Sequence, residues 1–148
     1  MVKLLKIQDY DAWIDLAKEV EHLFGPMVDS GEFKEGILAC INNNNAFGIE
    51  SGDGNLAGAI AIDRESNEIL WLAVKSQYRG NKYGDILVKK AIEEFANRGD
   101  VIVQTFAQGV IEGASARVIY ERNGFVDLKP AGINPAGIET VIMIKKAE

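Results

Sequence analysis

The segment Glu68-Ile69-Leu70-Trp71-Leu72-Ala73-Val74 decides the fold of this chain, together with the turn at residues 75–82 and the helical pattern at residues 83–98. The segment is nearly all apolar, which predicts a strand with both faces buried in the middle of a sheet. After the turn, the apolar residues that recur at helical spacing are Leu87, Val88, Ala91, Ile92 and Phe95. Gly99 can supply the left-handed residue that ends this helix.

The turn between strand and helix has the composition of a phosphate-binding loop. It contains Gly80 and Gly84 and leads directly into a helix N-terminus. Consecutive backbone N–H groups at such a terminus attract phosphate oxygens. Ordinary turn geometry is the simpler alternative, because many strand-to-helix turns contain glycine. The dinucleotide-binding fingerprint and the P-loop are excluded, since neither of their glycine patterns occurs here.

Composition narrows the class of protein. The 148 residues, 47% hydrophobic and 26% charged, suit one globular domain with one core. Cys40 is the only cysteine, so no internal disulfide can form, and this favours the cytoplasm. No apolar run is long enough to cross a bilayer, and the N-terminal segment is too charged for a secretory signal. We therefore expect a cytoplasmic protein with one domain over residues 1–148.

The net charge of −6 bears on the partners of the protein. It argues against a nucleic-acid-binding surface and favours cationic partners. Neither a metal site nor membrane attachment is predicted. The sequence leaves the oligomeric state open, and a homodimer is compatible with it.

The rest of the chain alternates strands with amphipathic helices. An edge strand is predicted at residues 2–7, followed by one helix from Asp9 or Asp11 to Phe24 and another from Ser30 or Gly31 to Ile41. Further strands are predicted at residues 46–50, 56–63, 101–107, 125–128 and 140–145, with a helix at 114–123 and a loop at 130–137. The first strands form an antiparallel meander, and the strand–helix–strand order around residues 68–107 predicts a parallel pair.

Two motifs about 30 residues apart carry a resemblance to a known family. The pattern Val74-x4-Arg79-Gly80-x-Lys82-x-Gly84, followed by an amphipathic helix, resembles the acyl-CoA signature of the GCN5-related N-acetyltransferases (GNAT family). The pattern Ala116-Arg117-x-x-Tyr120-Glu121-x-x-Gly124-Phe125 is similar to a later segment of that family. The resemblance implies transfer of acetyl from acetyl-CoA to a primary amine of a small molecule or protein. A non-catalytic acyl-CoA-binding domain is the alternative.

The resemblance also implies a fold and a cofactor site. The expected α/β domain has a mixed, mostly antiparallel sheet of about six to seven strands, a central parallel pair that splays apart, and about four helices. The backbone of the strand end would pair with the pantetheine arm, and the glycine turn would hold the pyrophosphate of coenzyme A. The implied cofactor-binding residues are Leu72, Ala73, Val74, Arg79, Gly80, Asn81, Lys82, Tyr83, Gly84 and Asp85.

Two residues depart from the family pattern. Lys82 stands where the family has glycine, and its Cβ narrows the room for phosphate, although its ammonium group could contact the phosphate instead. Gly113 stands where the family often has an asparagine that bonds to pantetheine. Both departures concern the affinity for coenzyme A rather than the fold.

Three groups are candidates for the chemistry of acyl transfer. The Val74 backbone N–H can donate to the acyl oxygen as it gains negative charge. Tyr120 matches the acid tyrosine of the family, the alternative being a tyrosine that only packs and bonds a carbonyl. Glu68 resembles the glutamate base of histone-type members, the alternative being an exposed carboxylate at a strand start. Glu50 and Asp63 are weaker substitutes for this base.

Overall fold

The computed structural model describes residues 2–95 and 99–147, apart from the side chain of Glu112. Within this part of the chain there are seven strands: β1 (Val2–Leu4), β2 (Ala46–Glu50), β3 (Leu56–Asp63), β4 (Glu68–Val74), β5 (Val101–Phe106), β6 (Val126–Ile133) and β7 (Glu139–Lys145). The described helices are α1 (Tyr10–Glu19), α2 (Glu21–Phe24), α3 (Gly31–Asn42), α4 (Tyr83–Glu94) and α5 (Ala114–Arg122). The predicted continuation of α4 over residues 96–98 lies outside the described residues.

All seven strands lie in one mixed sheet with the order β1-β2-β3-β4-β5-β7-β6. The pairs β1–β2, β2–β3 and β3–β4 are antiparallel, so the predicted meander is confirmed. Strands β4 and β5 are parallel and are connected through α4, as predicted. The mixed α/β sheet with its central parallel pair is therefore confirmed.

Helices cover both faces of the sheet. On one face, α1, α2 and α3 bury a cluster around Trp13, Leu16 and Ile37. On the other face, α4 and α5 bury a second cluster around Leu87, Val88 and Phe125. The stripes of apolar residues at helical spacing explain this arrangement, because each helix can bury only one side.

Strand β4 packs against the apolar clusters on both faces, as predicted, except at Leu70. Its register with β3 shifts between Ala61–Trp71 and Ile62–Ile69, which leaves Leu70 as an extra, bulged residue. Its pairing with β5 is limited to Glu68–Ile102 and Ile69–Val103. The Leu70 side chain is 47% exposed as a result. The expected splay of the parallel pair begins at this bulge.

Three predicted boundaries also differ. The first predicted helix is interrupted at Val20 and forms α1 and α2, which gives five described α-helices where about four were expected. Just after the break, the Glu21 carboxylate accepts hydrogen bonds from the N–H groups of Met27 and Val28 at 2.6 and 3.0 Å. Strand β1 ends at Leu4 instead of residue 7. Strand β6 extends through the predicted loop to Ile133, because an edge strand with two register shifts tolerates a proline.

Candidate active site

The splay between β4 and β5 opens a cavity of about 220 Å³ beside the N-terminus of α4. Every residue predicted to bind the cofactor lines this cavity, except Asn81. The Asn81 side chain instead donates to the Tyr78 carbonyl at 2.9 Å, which shapes the turn before the helix. We call this space the cofactor cavity.

The turn into α4 presents a run of unused N–H groups to the cofactor cavity. Within the described residues, the backbone N–H groups of residues 80–85 have no backbone acceptor. The Arg79 N–H donates to the Ser76 carbonyl at 3.2 Å, so the run starts one residue later than the sequence suggested. Such a run at the positive end of a helix dipole is suited to hold a phosphate.

Two side-chain contacts fix the turn on the body of the protein. The Glu19 carboxylate accepts the N–H and the hydroxyl of Ser76, both at 2.7 Å. Burial acts to raise the pKa of Glu19, but the Ser76 hydrogen bonds outweigh it and the pKa is lowered. The Tyr78 hydroxyl donates to Asp53 at 2.9 Å. Hydrogen bonds from the Ser51 hydroxyl, the Asn55 N–H and Tyr78 lower the pKa of Asp53 to about 2, so this tie holds across physiological pH.

Lys82 precedes α4 in a left-handed conformation, with φ 64° and ψ 18°. This backbone conformation disfavours residues with a Cβ and explains why the family has glycine here. Gly80 also has a positive φ, of 87°, and a Cβ there would meet open space. The turn therefore keeps its fold with lysine in place of glycine, with strain at one residue.

The first turn of α4 is packed tightly on α5. A Cβ on Gly84 would come within 2.7 Å of the Ile119 side chain, so Gly84 lets the two helices approach. The Asp85 carboxylate accepts from Lys89 at 2.9 Å and from Asn123 at 2.9 Å. The Lys89 hydrogen bond is the main cause of a lowered pKa at Asp85, ahead of the opposing effect of burial. Asp85 therefore orients the helices and does not face the phosphate site as a free anion.

Three cations line the cofactor cavity in a protein of net charge −6: Arg79, Lys82 and Arg122. All three are exposed. They lie where the N–H groups of the α4 terminus also attract anions. The position of Arg122 at this cavity could not be predicted from the sequence, because Arg122 is distant from the turn along the chain.

The backbone of β4 offers further hydrogen-bond donors along the edge where it is no longer paired with β5. The Lys75 N–H donates to the Ala57 carbonyl of β3 at 2.8 Å. Successive N–H groups of a strand point to opposite sides, so the N–H groups of Val74 and Leu72 point away from β3 and into the splay. This orientation is the one that the pantetheine and oxyanion roles require.

A second cavity, of about 240 Å³, continues the splay towards the start of β4. It shares Phe24, Leu72, Phe106 and Ala116 with the cofactor cavity, so the two spaces meet at these four residues. Tyr120, Gln104, Thr105, Asn134 and Thr140 supply its polar groups. We call this space the reaction cavity.

Phe106 explains the departure at Gly113. A side chain on Gly113 would overlap the Phe106 ring, which is 4% exposed and stacks on Phe24 with ring centroids 5.7 Å apart. The Phe106 carbonyl accepts from the buried Arg117 at 3.1 Å, which fixes the end of β5. Phe106 thus occupies space that an asparagine side chain at position 113 would need. The sequence could have indicated Phe106 as a site residue, because it ends a strand and ligands bind at the carboxyl ends of such strands. It could not have indicated Phe24, whose position at the cavity depends on tertiary packing.

Tyr120 lies in the wall of the reaction cavity and is 3% exposed. Its ring packs edge-on against Phe125, with centroids 5.4 Å apart. Its hydroxyl has no hydrogen-bond partner among the described residues, so the alternative of a carbonyl-bonding tyrosine has no support there. Burial raises the pKa of Tyr120, which keeps the phenol protonated at neutral pH.

Glu68 lies at the closed end of the splay, where β4 is paired with both neighbours. It is half-buried and is not among the residues that line the three described cavities. Burial, followed by the charge of Asp63, raises the pKa of Glu68. Five peptide steps separate it from Ala73, or about 16 Å at ~3.3 Å per step. Its role as a base is therefore left as a prediction.

The described residues contain no cluster of three or more His, Cys, Asp or Glu side chains that could hold a metal ion. In the same part of the chain, every helix is too short or too polar to cross a membrane.

The chain is similar to proteins of known family and known structure. A family model described as an acetyltransferase (GNAT) domain matches residues 14–147. No curated protein matches the sequence significantly.

Three solved structures share the fold. The NatC complex bound to Gag peptide and CoA has a chain with a TM-score of 0.78 at 19% identity, covering 100% of this chain and 98% of its own. The PaiA N-acetyltransferase of Thermoplasma acidophilum, in complex with coenzyme A, has a TM-score of 0.72 at 21% identity, with 99% and 98% covered. A mutant spermidine N-acetyltransferase of Vibrio cholerae has a TM-score of 0.69 at 18% identity, with 99% and 94% covered.

Proposed function

Because the chain belongs to the GNAT acetyltransferase family, we propose that it transfers an acetyl group from acetyl-CoA to a primary amine. The observation that carries this proposal is the open half of β4, which leads into the unused N–H groups of residues 80–85. One continuous space thus offers strand-like backbone donors, an anion site and a protonated tyrosine.

The residues present fit the pyrophosphate and the pantetheine arm of coenzyme A. The N–H groups of residues 80–85 would hold the pyrophosphate, and Arg79, Lys82 and Arg122 would neutralise its charge. The free N–H groups of Leu72 and Val74 would pair with the pantetheine amides in place of β5. The two coenzyme A-bound relatives support this assignment by fold alone.

The acyl group would lie where the cofactor and reaction cavities meet. Phe24, Leu72, Phe106 and Ala116 form an apolar junction there, and Phe106 and Phe24 limit its width. An apolar junction excludes water, which disfavours hydrolysis of the thioester.

Acetyl-CoA supplies an activated acyl group, whose C–S bond breaks as the C–N bond to the amine forms. The Val74 N–H would donate to the acyl oxygen as negative charge develops on it. Tyr120 would donate its proton to the departing sulfur and regain one from solvent. The amine would lose its proton to water or, as the sequence suggested, to Glu68 acting through water.

The acceptor is an amine of a small molecule or a peptide. The relatives include one solved with a peptide and one named for spermidine, so the family fold accommodates both classes. The net charge of −6 favours the approach of a protonated amine. We also propose one domain over residues 1–148 and a cytoplasmic location, which the single sheet and the single cysteine support.

A non-catalytic acyl-CoA-binding domain is the second candidate function. It is favoured by two features, the strained lysine at position 82 and the lack of an amide side chain at position 113. It predicts cofactor binding without turnover.

A two-part experiment tests both functions. Acetyl-CoA should raise the melting temperature, because a ligand of the folded state stabilises it; no shift at millimolar acetyl-CoA contradicts both. Release of free thiol is then followed with a panel of amines. Amine-dependent release supports the transferase, whereas stabilisation without release supports the binding domain.

A further inference from the structure

A third cavity, of about 260 Å³, extends the reaction cavity across the face of β4 that carries α1 and α3. Its lining residues are Trp13, Glu32, Phe33, Gly36, Ile37, Cys40, Ala61, Leu70 and Trp71. It shares Leu70 and Trp71 with the reaction cavity, so the two spaces adjoin at the β4 bulge. We call this third space the aromatic groove.

Trp71 is the centre of the groove. Its ring centroid lies 5.8 Å from that of Trp13 and 6.4 Å from that of Phe33. On the side of the reaction cavity it lies 6.4 Å from Phe24. Rings in this arrangement offer an apolar wall with wide contact area, which is suited to an aliphatic or aromatic group.

Two polar atoms in this wall have no partner. The indole N–H groups of Trp13 and Trp71 are buried and have no hydrogen-bond acceptor among the described residues. A buried donor without an acceptor destabilises the folded state. Because both atoms are closed to solvent, they offer an occupant no hydrogen bond, and the wall acts as an apolar surface.

Charge is scarce along the path from the reaction cavity into the groove. The described residues that line the reaction cavity include no charged side chain, and those of the groove include only Glu32. A polyamine carries several positive charges, which need carboxylate partners when they leave water. This lining is therefore suited to an acceptor with one amine and an apolar body.

The missing carboxylate also bears on how the amine loses its proton. An alkyl ammonium has a pKa near ~10.4, whereas an α-amino group has a pKa of about 7.7–8.0. At neutral pH the α-amine is therefore deprotonated to a far greater extent without help from the protein. A reaction cavity whose described lining has no carboxylate to accept the proton is suited to this class of amine.

We propose that the acceptor is an α-amine next to a carbonyl, as in a peptide N-terminus or an amino amide, with a large apolar side chain that occupies the aromatic groove. The inference rests on the proposed function, since it assigns the acceptor of that reaction. Long-range attraction by the net charge of −6 is retained, because the protonated amine carries one positive charge.

Intrinsic fluorescence gives a binding assay that is independent of turnover. The chain contains two tryptophans, and both line the aromatic groove. With coenzyme A present, leucinamide should shift the indole emission at concentrations where glycinamide and spermidine do not. In the thiol-release assay, kcat/KM for leucinamide should exceed that for glycinamide about tenfold or more, the scale of a filled apolar pocket.

Variants on α3 locate the effect. Phe33→Ala should lower the leucinamide to glycinamide ratio of kcat/KM several-fold, because glycinamide has no side chain to occupy the groove. Leu38→Ala is the matched control, because Leu38 is partly buried on the same helix but does not line the groove. Glu32→Gln tests the charge: it should lower the leucinamide to glycinamide ratio less than Phe33→Ala does.

The outcomes separate this proposal from the proposed function. Fastest turnover with spermidine, a response to glycinamide equal to that to leucinamide, or a ratio unchanged by Phe33→Ala overturns the assignment of the groove while transfer itself stands. An emission shift specific to leucinamide without thiol release from any amine supports the groove and overturns the transfer. No emission shift and no preference among amines overturns the groove.

Discussion

The two halves of β4 differ in what they do for the molecule. At Glu68 and Ile69 the strand is paired on both sides, with β3 and with β5. At Leu72 to Val74 it is paired with β3 alone, and its free side lines the two cavities of the candidate site. The same strand thus contributes stability at its closed half and a binding surface at its open half.

The bulge at Leu70 is the boundary between these halves. It shifts the register with β3 at the residue where pairing with β5 has ended. A bulge bends a strand and redirects its side chains, so one extra residue is enough to open the sheet. Four predictions test this division. Each concerns a substitution in one half of β4 or in a structure that adjoins it.

Ile69→Ala should have the largest effect on stability. Ile69 is 2% exposed in the core under α4, and such truncations cost about 2–5 kcal/mol of unfolding free energy. Urea unfolding measures this loss, and acetyl-CoA affinity below the transition should equal that of the parent. Leu72→Ala is the control in the open half, since Leu72 is only partly buried. Equal stability losses in the two variants would contradict the division.

Tyr120→Phe should lower kcat by about 10²-fold or more, the usual scale for a lost general acid. Stability should be retained, because the hydroxyl has no described partner and the ring contact with Phe125 persists. The Michaelis constant for acetyl-CoA should be unchanged. Tyr10→Phe, which removes a phenol outside the three cavities, is the matched control. A Tyr120→Phe enzyme as fast as the parent would make this tyrosine structural.

Lys82→Gly and Lys82→Ala separate backbone strain from charge. The left-handed conformation costs about 1–2 kcal/mol for a residue with a Cβ. Glycine avoids this cost, but it loses more conformational entropy on folding, which offsets part of the gain. The glycine variant should therefore be up to about 1 kcal/mol more stable than the alanine variant in urea unfolding. Both should bind acetyl-CoA more weakly than the parent, with a smaller dependence on salt. Affinity equal to the parent in both would remove the ammonium group from the phosphate site.

Glu68→Gln should have the smallest effect on stability. Because the folded-state pKa of Glu68 is raised, the ionised carboxylate opposes folding as pH rises through that pKa. At neutral pH the free energy of unfolding of the glutamine variant should therefore exceed that of the parent, by less than about 1 kcal/mol after solvent screening. This advantage should shrink at acid pH, where both side chains are neutral. The same variant tests catalysis: loss of the acidic limb of the pH–rate profile would support Glu68 as the base, and a persistent limb would remove it.

The sequence predicted much of the fold because local patterns and topology agreed. The bounds of β2, β3 and β4 and the starts of α4 and α5 follow from apolar periodicity and turn residues. The break at Val20 and the length of β6 did not follow, since both depend on hydrogen bonds to distant or edge partners. The exposure of Leu70 was missed because an apolar run does not reveal a register shift.

The candidate site was predictable where it is continuous in sequence. The cofactor turn and its strand could be named together, since they adjoin along the chain. Arg122, Phe24 and Trp71 could not, because only the packing of α5 and α2 and the bulge bring them to the cavities. Gly113 illustrates the same limit. A glycine is needed there because a side chain would overlap the Phe106 ring, and no local sequence pattern shows that contact.

The central claim is that coenzyme A binds along the open half of β4 and at the N-terminus of α4. Its most direct test is a titration of the ¹⁵N-labelled protein with coenzyme A, followed by amide chemical shifts. We expect the largest changes at the amides of residues 80–85 and at Leu72 and Val74, with the amides of Glu68 and Ile69 nearly unchanged. Changes centred on the closed half, or spread over the protein without a maximum at these amides, would contradict it.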